Sequence, residues 1–177
     1  MDLFWLTIII DFFVLVGLLF VIFVLLLPVV LGAPYVTMKP AILEQLIVAA
    51  KVLPGERAVD LGSGDGRIVI ALARAGAEAH GYEINPILVW LSRRNIRRAG
   101  LSGRAFIHGR SFRLVNFSSF NIVTIYGLKS IMKELESKLQ KELPKNGRVI
   151  SHTFQFPSWP PAMRQNGIYL YNKDMLY

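Results

Sequence analysis

The chain opens on an unbroken apolar run. Phe12 to Leu31 is 20 residues without a charge, and only Gly17 and Pro28 among them are not large apolar residues. A helix of that length spans roughly 30 Å, the hydrocarbon thickness of a bilayer. The run is apolar all round rather than along one stripe, which argues against a core helix of a soluble protein. A cleaved signal peptide is the other alternative. It is disfavoured because no Lys or Arg precedes the run, the apolar stretch is too long, and only Gly32-Ala33 resembles a cleavage site. Trp5 and Tyr35 suit the two interfaces, Asp11 marks the expected outer limit, and Pro28 is a place for a kink near the end.

Past a proline-punctuated linker, Gly32 to Pro40, the pattern changes to short apolar runs alternating with helical spacing. Pro40 to Lys51 reads as an amphipathic helix with Ile42, Leu46, Ile47 and Ala50 in phase. Pro54-Gly55 is a turn, Arg57 to Leu61 a buried strand, Gly66 to Ala75 a helix, and Glu78 to Glu83 a second strand. Asn85 caps a helix that has Pro86 at its first position and ends at Ala99-Gly100. Strands follow at Arg104 to His108 and Asn121 to Tyr126, a charged amphipathic helix at Ser130 to Leu143, and a strand at Arg148 to Phe154. Ile168 to Tyr171 and Met175 to Tyr177 close the chain as a hairpin. Strands alternating with helices predict an α/β fold, a Rossmann-like parallel sheet with helices on both faces. The expected organisation is a transmembrane anchor over residues 1–33 and one domain over residues 34–177.

Charge changes the picture. The net charge is +8, all 20 Lys and Arg lie from Lys39 onward, and Asp2 and Asp11 precede them, so residues 36–177 carry 20 basic against 10 acidic side chains. The positive-inside rule then predicts a single-pass membrane protein with its domain in the cytoplasm. Arg93, Arg94, Arg97 and Arg98 fall on one predicted helix and make a positive face. That face suits anionic lipid, nucleic acid or plain solvation, and the anchor ranks lipid above nucleic acid. With no cysteine there is no disulfide framework or thiolate site. His80, His108 and His152 show no ligand spacing, so no metal is expected.

The chemistry concentrates after the first strand. Ala58-Val59-Asp60-Leu61-Gly62-Ser63-Gly64-Asp65-Gly66-Arg67 is a strand running into a glycine-rich turn. A dinucleotide fingerprint wants its third glycine where Arg67 stands. The Asp-x-Gly-x-Gly-x-Gly spacing instead resembles the opening of Rossmann-like S-adenosylmethionine-dependent methyltransferases. A tight turn that binds nothing is the alternative. In such sheets ligands sit at the carboxyl ends of the strands. The loop with Asp60, Gly62, Ser63, Gly64, Asp65 and Gly66 falls there. So does Glu83, 23 residues after Asp60, whose carboxylate can accept from ribose hydroxyls. Ile84 is expected beside the adenine, Asn85 toward the nucleoside, and Tyr126-Gly127-Leu128 along the methyl group and acceptor. His152 and Trp159 are candidate acceptor-site residues; His152 reads equally as a packed or capped histidine, and Trp159 reads more readily as filling the edge of the core. No dedicated base is assigned. An activated methyl sulfonium reacts by in-line displacement, which positioning and desolvation accelerate, and burial helps a lysine lose its proton.

From about Pro34 to Trp159 the chain resembles the small protein-lysine methyltransferases. These include archaeal broad-specificity enzymes and the mitochondrial enzymes acting on the ATP synthase c-subunit and the adenine nucleotide translocase. The resemblance rests on Pro34-Tyr35-Val36, Asp60 to Ile68, Gly81-Tyr82-Glu83-Ile84-Asn85-Pro86, Glu142-Leu143-Pro144, Gly147 to His152 and Phe156-Pro157-Ser158-Trp159. It implies methylation of protein lysines with S-adenosylmethionine, and a protein partner carrying the acceptor lysine. It also implies that Tyr35 to Thr37 closes over the methionine end of the cofactor and that Ser111 meets the adenine amine. The chain departs from the family pattern at Thr37-Met38-Lys39-Pro40 and at Gly109-Arg110-Ser111-Phe112, which lacks a carboxylate. Its C-terminus looks short for a full last pair of strands. Two other classes remain: a methyltransferase of nucleic acid, lipid or small molecules, and a non-catalytic cofactor-binding membrane module. Amino-group DNA methyltransferases carry Pro-Pro-aromatic after the fourth strand, where this chain reads Tyr126-Gly127-Leu128-Lys129.

Overall fold

Nothing in Leu3 to Ile10 breaks a helix, and the first helix uses all of it. The computed structural model describes residues 3–31, 38–127 and 129–176, and the chain divides into two compact units, Met1–Pro34 and Tyr35–Tyr177. In the first unit α1 spans Leu3–Leu31 and runs through both Asp11 and Pro28. The helix therefore does not stop at Asp11, because one polar side chain on a helix surface leaves the backbone ladder intact. From Phe4 to Phe23 its large side chains are exposed, Phe13 and Phe20 by 67% and 63%, and Val24 is buried. Among the described residues it is the one helix long and apolar enough to cross a membrane, over Phe4–Val24.

The second unit is a seven-stranded sheet. Its helices are α2 (Pro40–Ala50), α3 (Arg67–Arg74), α4 (Pro86–Arg98) and α5 (Lys129–Glu142). Its strands are β1 (Arg57–Leu61), β2 (Glu78–Tyr82), β3 (Ala105–His108), β4 (Ile122–Ile125), β5 (Arg148–His152), β6 (Met163–Gln165) and β7 (Ile168–Asn172). The strand order is β3-β2-β1-β4-β5-β7-β6. β1 to β5 pair in parallel, while β7 runs antiparallel to both β5 and β6. The order reverses between β1 and β4, which opens a crevice at their carboxyl ends.

Each strand alternates between two cores. Ala58, Ala79, Ala105, Ile122 and Ile150 face α2, α3 and α4, where Leu46, Val69 and Leu72 are fully buried. Val59, Tyr82, Val123 and Val149 face α5, with Met132, Leu135 and Leu139. Small residues on the first face let α3 lie close to the sheet. At Gly66, φ is +83°, and an added Cβ would lie 2.8 Å from Ser92 Cβ of α4. The third glycine of the loop is thus a packing requirement between helices. Arg148 on β5 ties the C-terminus of α2 to the sheet: it donates to Ala50 O at 2.6 Å and Lys51 O at 2.8 Å, and pairs with Glu56. A cation there meets the carbonyl end of the helix dipole.

The end of the chain differs from expectation. Ile168–Asn172 pairs with Met163–Gln165, and Lys173–Leu176 forms a 3₁₀ turn instead of a strand. The two-residue turn between the strands is Asn166-Gly167, with φ +50° and +76°. Asn-Gly with positive φ at both positions is the favoured tight hairpin turn, since its twist matches that of the flanking strands. The last pair of strands is therefore complete, against the expectation of a short C-terminus. Gly66→Ala combines a strained φ with overpacking against α4, and should lower unfolding stability by about 2–4 kcal/mol in a urea titration of the domain's tryptophan fluorescence.

Candidate functional site

The carboxyl ends of β1 and β2 carry two buried carboxylates joined through the glycine-rich turn. The turn starts where Gly62 and Ser63 both donate to Tyr82 O of β2, at 2.9 and 3.0 Å. Gly62 has φ +79°, and an added Cβ there would meet nothing within 4 Å. Its outer side is open space into which a ligand can come against bare backbone.

Glu83 stands just past β2 and is 8% exposed. Its Oε2 accepts from Gly64 N at 3.0 Å, and its Oε1 accepts from Ile84 N and Asn85 N at 2.8 Å each. A carboxylate offers about four acceptor sites, so capacity remains for a ligand hydroxyl. Asn85 caps α4 as expected, accepting from Ile87 N at 2.9 Å and Leu88 N at 3.4 Å. Ile84 is half-buried at the rim.

Asp60 is 1% exposed, and Thr124 Oγ1 of β4 donates to its Oδ1 at 2.8 Å. Among the described residues no Lys or Arg pairs with it. Burial pushes its carboxyl up to about 7, opposed by the Thr124 hydrogen bond and aided by the charges of Glu83 and Asp65. A buried carboxylate held near neutrality without a cation is the complement of a cationic ligand group. Open backbone at Gly62, spare acceptor capacity at Glu83 and this anionic pocket together fit a nucleoside carrying an ammonium and a sulfonium.

The other loop residues serve the loop itself. Ser63 is 4% exposed, and among the described residues its Oγ has no partner. It packs against Gly81, where an added Cβ would lie 2.6 Å from that Oγ. Asp65 forms a bidentate pair with Arg67, whose Nη1 donates to Met38 O at 2.8 Å. This clasp anchors the end of the chain entering the domain to the glycine turn. Asn95 of α4 holds Asp65 O from the other side at 3.0 Å. Thr124 and Arg67 were not singled out from the sequence. Thr124 carried one signal, a polar residue inside the apolar run Ile122-Val123-Thr124-Ile125. The contact of Arg67 with Met38 joins residues 29 positions apart and has no local signature.

Further along the strand ends, Tyr126 and His152 meet edge to face at 4.8 Å between ring centres. Burial holds His152 below the usual histidine range. The next residue, Thr153, has φ +75°, a strained conformation for a β-branched side chain. Its Oγ1 lies 3.2 Å from His152 Nδ1. Ser111, half-buried in the loop after β3, accepts from Arg113 N at 3.3 Å, so its hydroxyl already caps a 3₁₀ turn. Trp159 takes the packing place rather than an acceptor-site one. It is 1% exposed and packs on Phe156 and Tyr171 in the α5-side core, because a ring of that size gains more from burial than from lining a wet cleft. Tyr35, Thr37 and Leu128 lie outside the described residues.

Two sequence-distant features also meet. His80 and His108, on adjacent strands, face each other at 3.0 Å, with Glu78 2.9 Å from the far side of His80. The histidines are thus paired where spacing alone suggested scatter. Among the described residues no group of three or more metal-ligating side chains is found. The arginines of α4 do not make one uniform face. Arg93 donates to Ile107 O at 2.9 Å, and Arg94 lies over the Trp90 ring.

The sign of the Asp60 effect is fixed by its two states. Its carboxyl sits at about 7 when folded and near 3.9 when unfolded. The folded state therefore holds a proton that the unfolded state has lost, and stability falls as pH rises between those values. Asp60→Asn should leave the melting temperature nearly unchanged at about pH 4, raise it by several degrees at about pH 8, and show no further gain above that.

Residues 60–163 match the family described as the ANTKMT methyltransferase domain. The lysine N-methyltransferase of the ATP synthase c-subunit from Homo sapiens is 45% identical over 124 residues, which cover 69% of this chain and 53% of that protein. The chain thus spans about half the length of the c-subunit methyltransferases it matches. A protein-lysine N-methyltransferase of Saccharolobus islandicus is 36% identical over 130 residues, covering 72% of this chain and 81% of that protein. An RNA methyltransferase of Salinibacter ruber, solved with S-adenosyl-L-homocysteine, superposes with a TM-score of 0.71 at 31% identity, covering 77% of this chain and 91% of that one. With a family match that begins at Asp60 itself and takes in the whole cradle, this chain belongs to the ANTKMT methyltransferase domain family.

Proposed function

We propose that this chain is a membrane-anchored, S-adenosylmethionine-dependent methyltransferase of protein lysines, membrane-associated proteins foremost. In this reading residues 34–177 are the catalytic domain and α1 is a single-pass anchor that leaves the domain in the cytoplasm. The observation that carries it is the pair of buried carboxylates, Asp60 and Glu83, on either side of a glycine turn with open space over Gly62. Relatives named as protein-lysine methyltransferases support the acceptor, and the length of α1 supports the anchor.

S-adenosylmethionine supplies a methyl group on a cationic sulfur, which a neutral amine displaces in line. Asp60 serves the cationic amino-acid end, because pairing recovers the cost of its burial. Glu83 accepts from a ribose hydroxyl through the acceptor site that its three backbone contacts leave over. Ile84 covers the adenine, Asn85 fixes the helix start beside it, and Ser111 borders its amine. Tyr35 and Thr37 belong to the segment that the Arg67 clasp leads into, and they close over the methionine end. Tyr126 and His152 border the acceptor lysine. Burial lowers the His152 pKa, which disfavours a positive charge on its imidazole near the sulfonium.

A second reading has an observation of its own. The Salinibacter ruber protein is named an RNA methyltransferase, so a nucleic acid is the competing acceptor. The full chain in detergent, methyl-labelled S-adenosylmethionine, and host membranes and RNA as separate acceptors decide between them. Label on lysines of a few membrane proteins, lost in Glu83→Ala, is the expected result. Label in RNA alone overturns the lysine assignment.

Cofactor affinity by calorimetry should drop more than about tenfold in Glu83→Ala, which removes three charge-assisted hydrogen bonds. In the parent chain, affinity should rise with pH until Asp60 is ionised, at about 7, and level off above it. A cationic ligand binds the ionised carboxylate and so releases its proton. Affinity independent of pH through that range would remove Asp60 from the binding site.

A further inference from the structure

A second groove lies apart from the cofactor site. It lies between α2, α3 and α4, about 780 Å³ in volume, and its lining includes Leu43, Ile47 and Val48 on α2 and Ile70 and Ala71 on α3. Arg74 and Arg98 reach its edge, with Glu44 the acidic residue in the lining.

Helix α2 is the unusual member. Its sequence, Pro40-Ala41-Ile42-Leu43-Glu44-Gln45-Leu46-Ile47-Val48-Ala49-Ala50, holds a single charge. One side, with Leu46, Ala49 and Ala50, is buried against the sheet. Another side lines the groove, and there Val48 is 71% exposed; Leu53, just past the helix, is 60% exposed. A helix apolar on two sides has one partner in the domain and lacks the other.

Charge around the groove is lopsided. The three helices with the flanking Lys39 and Lys51 carry eight basic side chains and one acid, Glu44, whereas α5 on the opposite face carries four Lys and three Glu. Among the described residues neither Arg74 nor Arg98 pairs with a carboxylate. Only residues 32–39 separate α1 from α2, a stretch that reaches at most about 29 Å when fully extended. We propose that this α2–α3–α4 face is a docking surface for an anionic lipid bilayer, with Val48 and Leu53 entering the headgroup region and Arg74 and Arg98 meeting lipid phosphates. The proposal rests on the reading of α1 as a membrane anchor. It shifts the lipid contact from the Arg93–Arg98 stretch of α4, where Arg93 is tied to β3, to the groove beside it. Apolar residues rimmed by unpaired cations are what an interfacial surface needs. A bilayer within tether range makes the contact nearly intramolecular. Docking there would hold the methyltransferase domain at the membrane surface, where lysines of membrane proteins emerge.

The chain has no cysteine, so Val48→Cys and Leu18→Cys each accept a single nitroxide label. The full chain is placed in nanodiscs of phosphatidylcholine and in nanodiscs with about one-third phosphatidylglycerol. Each label is read by collision with lipid-soluble oxygen and with a water-soluble nickel chelate. The expected result puts the label at position 18 in lipid in both discs. The label at position 48 becomes several-fold less accessible to the chelate in anionic discs alone, and Arg74→Glu with Arg98→Glu, or high salt, reverses that. Position 48 equally open to the chelate in both discs, with position 18 in lipid, overturns the docking surface and leaves the anchor standing. Position 18 in water refutes the anchor separately, and entry of position 48 into anionic lipid then still supports the surface. Protection of position 48 in detergent without a bilayer assigns the groove to this chain's own segments or a second copy, and overturns the lipid assignment.

Discussion

One carboxylate holds the ligand end of this domain together. Glu83 accepts three backbone N–H groups, one from the glycine turn after β1 and two from the chain entering α4. These are charge-assisted bonds in a buried place, each stronger than a neutral one. They join the two crossovers that diverge from β1 and β2. Gly62 can then lie open, because the turn is fixed from behind and needs no side chain to hold it. Asp60, one strand over, takes the opposite part: its burial is unfavourable until a cation arrives. The cradle thus pairs a carboxylate that builds the site with one that, among the described residues, has a hydrogen bond from Thr124 and no Lys or Arg partner.

The same sheet separates two tasks by face. The α5 side is closed by large rings, Phe117, Phe156, Trp159 and Tyr171, and its helix is of mixed charge. The other side has small residues on the strands and three helices laid close against them, with the basic excess outside. Close packing there depends on alanines in β1, β2 and β3 and on Gly66 beside Ser92. That side carries the apolar groove, and its helices α3 and α4 start at the carboxyl ends of β1 and β2 where the glycine turn and Glu83 lie.

Local features were legible without coordinates. Asp60, the three glycines, Glu83, and Asn85 followed by Pro86 each declare themselves within a few residues, because turns and caps are short-range structures. The Asn166-Gly167 turn is equally short-range but was not used, and the final strand pair was placed beyond it. Its neighbours Met163–Gln165 are short and polar, and show no strand pattern of their own. For Trp159 the sequence offered both a site and a core-edge place, and the aromatic partners that surround it decide for the core.

By itself the sequence determined the apolar N-terminal helix, the alternation that makes a parallel sheet, the turn that receives a ligand and the family. All of these follow from spacing along the chain. Tertiary structure alone decided that Thr124 reaches Asp60 across 64 residues, that Arg67 clasps Met38, that His80 meets His108, and that α2 keeps an uncovered apolar side. Those are contacts between strands and helices whose register is set by packing of the whole sheet. A pattern read along one segment carries no information about which distant segment it will touch.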